Sequence, residues 1–184
     1  MTLLLEIARC PEAAHCFTHP TADHPCQKII QVQGAGSLAE LQVPEPWSGE
    51  LEHALILFLS SNPSISTAEV YPRWKWPDEE IADFFGGRFG GGRRQWIKDG
   101  TKSLRPDGSY GKATAFWAAV RQRAMELWQG DVRPGVDYAL TEIVHCKSKS
   151  EIGVAEARKR CVPRYLRRVG WRFCARFCAG SAAI

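Results

Sequence analysis

The chain has 184 residues, of which 45% are hydrophobic, 24% charged and 10% aromatic. This composition is typical of one globular domain, and it excludes disordered, collagen-like and repeat chains. The longest clean apolar stretch, residues 54–60, is too short for a membrane-spanning helix. Residues 1–7 lack the basic start and the cleavage site of a signal peptide, so we expect a cytoplasmic protein with no membrane contact.

Charge and cysteine content indicate what kind of partner this protein binds and in which state its thiols are. The net charge of +4 is uneven, because residues 144–184 carry ten Lys and Arg against two acids, which leaves residues 1–143 acidic. A basic segment of this kind favours an anionic partner, nucleic acid first, although a solvated helix face is the alternative. Seven cysteines, an odd number in a chain without an export signal, indicate reduced thiols or metal ligands rather than disulfides.

The first part of the chain contains one strong strand pattern. Residues 1–26 are rich in Cys, His and Pro without periodicity, which predicts an irregular lead-in. Residues 27–33 (QKIIQVQ) predict a short strand, and residues 44–48 predict a loop. Residues 55–59 (LILFL) form an unbroken apolar run that stops at SSNPS, the pattern of a buried parallel strand that opens into a loop.

The middle of the chain reads as two helices around a basic loop. Residues 78–85 predict a short helix with acids in its first turn. Residues 86–94 (GGRFGGGRR) predict a glycine-rich loop, which lacks the Lys and Ser or Thr of a P-loop. Residues 113–128 predict a helix whose apolar stripe faces the core. That stripe comprises Phe116, Trp117, Val120, Ala124, Leu127 and Trp128.

The last part predicts a second buried strand over residues 138–144 and a helix over residues 150–169, capped by Ser150. Parallel strands need helical crossovers, so this order of elements predicts an α/β fold. We expect a three-layer α/β/α sandwich with a short parallel sheet, in a single domain over residues 1–184.

Two segments carry a family resemblance. The buried strand ends in Ser60-Ser61-Asn62-Pro63-Ser64, and the second strand ends in TEIVHCKS before a helix that contains a further cysteine. This pattern resembles the uracil-DNA glycosylase superfamily, nearest its iron–sulfur-containing bacterial and archaeal branch. The resemblance implies that Asn62 positions the attacking water and that Ser61 helps to bind the base. The sequence departs from the family at Ser60, where a Gly is usual.

The resemblance also implies a metal centre. Cys146 and Cys161 are separated by fourteen residues, close to the spacing of two cluster ligands in the iron–sulfur branch. Cys10 and Cys16 are the counterparts of the earlier ligand pair, with Cys26 as a substitute, and four thiolates suit a 4Fe–4S cluster. Two alternatives remain: ordinary buried thiols, or a zinc site built from the N-terminal Cys and His residues. Those zinc candidates are Cys10, Cys16, His19, His24 and Cys26.

Glu142 lies four residues before Cys146, where the iron–sulfur branch carries the Asn that reads uracil. A carboxylate can only accept hydrogen bonds. We therefore expect a preference for a base edge that offers donors, and expect Glu142→Asn to shift the preference toward uracil. The alternative is a charged residue at a strand edge.

Glycosylases stack the extruded base on an aromatic ring, and the resemblance points to Tyr71, Trp74 or Trp76 for this role. Each of the three is alternatively a packing aromatic. Cations on the loops are candidates for phosphate contacts, with solvated surface charge as the alternative. These cations are Arg88, Arg93, Arg94, Lys147 and Lys149.

The C-terminal sequence departs from the family. The expected final strand and His-bearing loop are missing, so the resemblance covers residues 1–169, and residues 170–184 look like a truncation or a basic tail. The expectation is a monomeric DNA-repair glycosylase that hydrolyses the N-glycosidic bond of a damaged or deaminated base. The alternatives are a catalytically impaired nucleic-acid-binding member and a small metal-binding interaction domain.

Overall fold

The computed structural model describes residues 2–165, with side chains through Cys161. The predicted helix end at residue 169 and the tail 170–184 lie outside the described residues. None of the described helices is both long enough and apolar enough to cross a membrane.

The N-terminal region is helical, where the sequence predicted an irregular lead-in and a strand. It forms α1 (Leu3–Ala8), α2 (Pro11–Thr18) and α3 (Gln27–Gln31), followed by a 3₁₀ turn at Leu38–Glu40. Thr2 caps α1 by accepting a hydrogen bond from the Leu5 amide, and proline occupies the first position of α2. The predicted strand over residues 27–33 is wrong, because Gln27–Gln31 form α3, which buries Gln27, Ile29 and Ile30.

The central sheet holds the two predicted strands. It contains β1 (Trp47–Ser48), β2 (Ile56–Ser60) and β6 (Tyr138–Glu142), in the order β1-β6-β2. β2 and β6 run parallel, as the sequence predicted, and their register ends with Ser60 opposite Glu142. All five residues of β6 are buried, as expected for the middle strand of a sheet. The protein therefore has the predicted α/β fold.

A second, antiparallel sheet was not predicted. It consists of β3 (Ile97–Lys98), β4 (Lys102–Leu104) and β5 (Tyr110–Ala113), in the order β3-β4-β5. Asp99 and Gly100 both have positive φ, at 56° and 69°, which is the conformation that a tight hairpin turn requires.

Three longer helices complete the fold: α4 (Asp78–Gly86), α5 (Ala115–Trp128) and α6 (Val154–Tyr165). The predicted helix over residues 78–85 matches α4. α6 begins four residues after the predicted cap, because Ser150 has a φ of 52° and cannot start a helix. α5 begins at the cap Thr114 and buries a narrower face than predicted. Trp117, Val120 and Ala124 are buried, whereas Phe116, Leu127 and Trp128 are exposed.

Three hydrophobic clusters hold these elements together. The first packs α5 on the central sheet through Trp117, Tyr138 and Leu140. The second packs α1 and α4 around Phe84 and Phe85. The third lies between α2, α3 and α6, and it contains the buried cysteines of the described chain. Because β2 and β6 are parallel and in register, their carboxyl ends lie at the same edge of the central sheet.

Candidate functional site

A cleft of about 650 Å³ opens at the carboxyl ends of β2 and β6. One wall comes from the segments that follow these two strands, and the other from the second sheet and the start of α5. Open α/β sheets commonly bind ligands at this edge. Asn62 and Glu142 both line this cleft, so the structure brings the two principal predicted site residues together.

The segments after β2 and β6 are hydrogen-bonded to each other. The Val144 amide donates to the Ser61 carbonyl over 3.0 Å, and the Ser148 amide donates to the Pro63 carbonyl over 3.0 Å. Asn62 lies between these contacts, half-buried, and its side-chain amide donates to the Pro63 carbonyl over 3.0 Å. The Asn62 Oδ1 atom is therefore held at a defined place in the cleft.

Glu142 is only 2% exposed, and its Oε2 atom has no hydrogen-bond partner among the described residues. Burial and, to a smaller extent, the nearby Glu45 raise the pKa of this carboxyl to about 8, against the opposing effects of Ser60, Arg88 and Lys147. The group is therefore protonated at neutral pH. A protonated carboxyl carries an O–H donor as well as acceptors, whereas the sequence expectation considered only the ionised form.

A buried charge network lies beside Glu142. Arg88 Nη1 donates to Glu45 Oε1 over 2.5 Å and to Ser48 Oγ over 2.8 Å. Lys147 Nζ is 3.4 Å from Glu69 Oε1 and 3.5 Å from the centre of the Tyr71 ring. Burial alone would raise the pKa of Glu45, but Arg88 and Lys147 hold it below its ordinary value. Burial lowers the pKa of Lys147, against the opposing effects of Glu45 and Glu69.

These pairings change the role of two predicted phosphate contacts. Arg88 and Lys147 are 2% and 1% exposed, and they pair with the buried Glu45 and the partly exposed Glu69 rather than facing solvent. Arg93, Arg94 and Lys149 are exposed, as a phosphate contact requires. Sequence reasoning missed two further exposed cations that line the cleft, Arg105 and Lys112. Both flank the turn between β4 and β5, so recognition of the second sheet would have found them.

The three predicted stacking aromatics do not line the cleft. Tyr71 is 4% exposed, and its hydroxyl hydrogen-bonds to the Val43 carbonyl and to Glu45. Trp74 and Trp76 pack against the core, where Arg9 donates hydrogen bonds to both of their carbonyls. The aromatic residues that line the cleft are Phe116, which is 47% exposed at the start of α5, and the buried Trp117.

Glu151 is an exposed acidic residue at the cleft that the sequence did not single out. The Ser61 hydroxyl donates to Glu151 Oε1 over 2.9 Å, and the same hydroxyl oxygen is 3.4 Å from Asn62 Oδ1. Ser150 and Glu151 have positive φ values of 52° and 59°. Consecutive left-handed residues that are not glycine are strained, and such strain is concentrated at functional sites.

Five cysteines from both ends of the described chain converge in the cluster between α2, α3 and α6. They are Cys10, Cys16, Cys26, Cys146 and Cys161. Burial raises the pKa of Cys16 to about 12, and burial together with the neighbouring thiols raises the pKa of Cys146. The pKa of Cys161 is raised first by its hydrogen bond with Cys26. The structure thus brings the four predicted ligands and their substitute together.

The alternative zinc residues are engaged in other contacts. His24 Nε2 lies 2.8 Å from Glu12 Oε2, and its Nδ1 lies 2.9 Å from Cys16 Sγ. The His19 ring stacks on His15 at 5.1 Å between ring centres. Within the described residues, no three His, Cys, Asp or Glu side chains stand in metal-binding geometry.

No protein-family model, curated protein or solved structure matches this chain. The resemblance to the uracil-DNA glycosylase superfamily therefore depends on the motif residues themselves. The function must be argued from the chemistry of the cleft.

Proposed function

We propose that this chain is a DNA N-glycosylase, which hydrolyses the bond between a damaged or deaminated base and its sugar. One observation carries the proposal: Asn62 and Glu142, from the ends of two parallel strands, line the same cleft. An amide that holds water and a group that reads a base edge are the two functions that this reaction needs in one place.

The chemistry assigns a role to each side chain near Asn62. The oxygen of a water forms a bond to C1′ of the sugar, and the bond from C1′ to the base nitrogen breaks with its electron pair going to the base. Asn62 Oδ1 orients this water but cannot take its proton. Glu151, linked to the same loop through Ser61, is the carboxylate that accepts that proton as general base.

The cleft rim supplies the contacts for DNA. Phe116 offers an exposed ring on which an extruded base can stack. Arg105 and Lys112 are the exposed cations of the opposite wall, where they would contact the flanking phosphates. Arg88 and Lys147 lie deeper, and their positive charge would favour the departing base anion.

The same proposal includes an iron–sulfur cluster held by Cys10, Cys16, Cys146 and Cys161. The position of these thiols in one hydrophobic cluster supports such a group, while no three of them stand in metal-binding geometry among the described residues. When bound, it would supply a covalent link between α2, α6 and the segment after β6. No step of base removal passes through it. A monomer in the cytoplasm is consistent with the proposal, because reducing conditions there keep the thiols available.

The test is a panel of duplexes that contain uracil, hypoxanthine, xanthine or mismatched thymine, scored for abasic sites by alkaline cleavage. Asn62→Ala should lower excision about a hundredfold while DNA affinity stays nearly constant, because water positioning acts mainly in the transition state. Ser64→Ala, which also alters the cleft lining, is the matched control and should retain activity.

Glu151→Gln should lower excision without a change in affinity, which separates the proposed general base from a structural role. If the wild-type protein cleaves no duplex in the panel, the enzyme proposal fails. DNA binding without cleavage would then support the alternative of a nucleic-acid-binding module.

A further inference from the structure

The second sheet and its flanks concentrate positive charge. Residues 93–123 hold eight Lys and Arg against two Asp, although the chain up to residue 143 is acidic as a whole. Both acids are already engaged, because Asp99 Oδ2 lies 2.8 Å from Lys102 Nζ and Asp107 accepts hydrogen bonds within its own turn. The excess positive charge on this part of the surface therefore favours a polyanion.

The two faces of the second sheet differ in burial. Ile97 and Ser103 lie opposite each other in the register of β3 and β4, and both are buried. Lys98 and Lys102 form the next opposite pair, and they share the outer face because side chains alternate along a strand. Like charges directly opposite each other are destabilising, and one carboxylate, Asp99, stands against these two cations. An anion bound over the pair would stabilise it.

An exposed aromatic ring lies on the same outer face. Tyr110 begins β5, lies opposite Leu104 and is 37% exposed. Its hydroxyl donates to the Gln95 carbonyl over 2.8 Å, and Lys98 Nζ lies 5.6 Å from the centre of its ring. The ring is therefore fixed in position beside a cation. Single-stranded nucleic acids bind such surfaces by stacking bases on the ring while cations follow the backbone.

This outer face is continuous with the cleft along β5. Lys112 comes two residues after Tyr110, is exposed and lines the cleft, as does Phe116 at the start of α5. Tyr110 and Lys98 themselves lie outside the cleft. Within the described part of the chain β5 is an edge strand, so no neighbouring strand covers the path from the cleft to Tyr110.

We propose that the outer face of the second sheet, formed by Lys98, Lys102 and Tyr110, binds single-stranded DNA outside the cleft. The phosphates of a flexible strand contact the two lysines while one base stacks on Tyr110. A duplex keeps its bases stacked inside and cannot offer them to this ring. The choice of DNA over RNA rests on the proposed function, whereas the binding itself requires no base excision.

The experiment measures the binding of three fluorescent probes by anisotropy. They are a thymidine strand of about twelve nucleotides, its duplex with an adenine strand, and an abasic strand of the same length, which keeps the phosphates and lacks the bases. The thymidine strand should bind about tenfold more tightly than the abasic strand, because stacking adds to the affinity of phosphate contacts.

Variants of the outer face separate stacking from charge. Tyr110→Ala should lower the affinity for the thymidine strand about tenfold and leave the abasic strand and the duplex nearly unchanged. Tyr110→Phe keeps the ring and loses only the hydrogen bond to Gln95, so it should bind like the wild type. Lys98→Gln should lower the slope of log affinity against log salt by about 0.7 for both single strands. Lys28→Gln, an exposed cation of α3 paired with Glu156, is the control and should leave the slope unchanged.

Two results would overturn the proposal. If Tyr110→Ala weakens the thymidine and abasic strands equally, the ring has a structural role and no base stacks on it. If a uridine RNA strand binds more tightly than the thymidine strand, DNA is not the ligand of this surface.

The proposal and the glycosylase function fail separately. The expected response of the three probes in a protein that excises no base would retain this surface and reject the enzyme. Base excision together with a thymidine affinity that Tyr110→Ala does not change would retain the enzyme and reject this surface.

Discussion

The ion pair between Glu45 and Arg88 is buried on both sides, at 3% side-chain exposure each. Removing one member of a buried pair leaves an uncompensated charge, which costs about 3–5 kcal/mol. Arg88→Met should therefore lower the free energy of unfolding by about this amount, measured by urea denaturation. Arg94→Met, an exposed cation of the neighbouring loop, should change it by less than about 0.5 kcal/mol.

A double variant tests whether the unpaired charge of Glu45 causes this loss of stability. Glu45→Gln combined with Arg88→Met removes both charges and keeps an acceptor for Ser48 and Tyr71. It should recover a large part of the lost stability. If the double variant is as unstable as Arg88→Met, packing around the guanidinium rather than charge pairing accounts for the loss.

The raised pKa of Glu142 gives a second prediction at the residue scale. An unfolded Glu ionises near its ordinary pKa of 4.5, whereas the folded group ionises near 8. Between these values the folded state binds the extra proton, so the contribution of Glu142 to stability falls by roughly 1.4 kcal/mol per pH unit as pH rises. Above pH 8 both states are ionised, and the contribution is constant.

Glu142→Gln should therefore gain stability relative to the wild type between about pH 5 and about pH 8, measured from urea midpoints. Glu79→Gln, an exposed residue in the first turn of α4, is the control and should show no such trend. A constant stability difference across this range would mean that the folded carboxyl titrates like an exposed one.

At the scale of elements, the approach of α6 to α3 depends on Gly153. Its φ is +80°, and a Cβ at this position would lie 2.5 Å from the Ile29 amide nitrogen. Gly153→Ala combines backbone strain with a backbone clash, so we expect a loss of about 2 kcal/mol or more in unfolding free energy. Gly36→Ala, in open space without positive φ, should be nearly neutral.

The glycine-rich loop after α4 carries the prediction for DNA binding. Arg93 and Arg94 are exposed on it, although the Arg93 amide is fixed by a 2.9 Å hydrogen bond to Asp83. If both cations contact phosphate, Arg93→Ala with Arg94→Ala should lower the slope of log affinity against log salt by roughly one to two. Binding isotherms over a range of salt concentrations measure this slope. An unchanged slope would mean that Arg93 and Arg94 are solvated and do not contact phosphate.

At the scale of the whole molecule, the thiol cluster connects the two ends of the described chain. Protein purified without oxygen should be brown and contain iron and sulfide, because four thiolates suit a cluster. Cys146→Ser should abolish the colour and the bound iron, whereas Cys26→Ser should retain them. If Cys26→Ser loses the colour and the iron while Cys16→Ser retains them, Cys26 is the ligand in place of Cys16. A colourless protein whose bound zinc is insensitive to Cys146→Ser would contradict the cluster.

The sequence predicted the elements whose signal is local. The apolar runs of β2 and β6 and the acidic first turn of α4 needed no tertiary information, and the parallel pairing followed from the spacing of the two strands. The second sheet had a local signal that was not used, since Asp99-Gly100 and Asp107-Gly108 are hairpin dipeptides. The short N-terminal helices had only the start signals Thr2 and Pro11, and helices this short gain their stability from packing rather than propensity.

The surroundings of individual side chains were harder to predict from the sequence than the helices and strands were. Arg88 stands among glycines and cations in the sequence, and nothing nearby reveals its pairing with Glu45, which lies far earlier in the chain. The pKa of Glu142 is raised mainly by burial, which residue type alone does not reveal. Phe116 was assigned to a core stripe by periodicity, and only its exposure identifies it as a cleft residue.

The arrangement of the thiols has a consequence for biosynthesis. Cys10, Cys16 and Cys26 leave the ribosome first, while Cys146 and Cys161 follow only when most of the chain has been made. The N-terminal helices therefore cannot complete their packing until α6 has been made. Until then, the thiols of Cys10, Cys16 and Cys26 stay exposed to solvent and able to react. A cell that makes this protein must protect that nascent segment from oxidants and from stray metal ions until synthesis reaches α6.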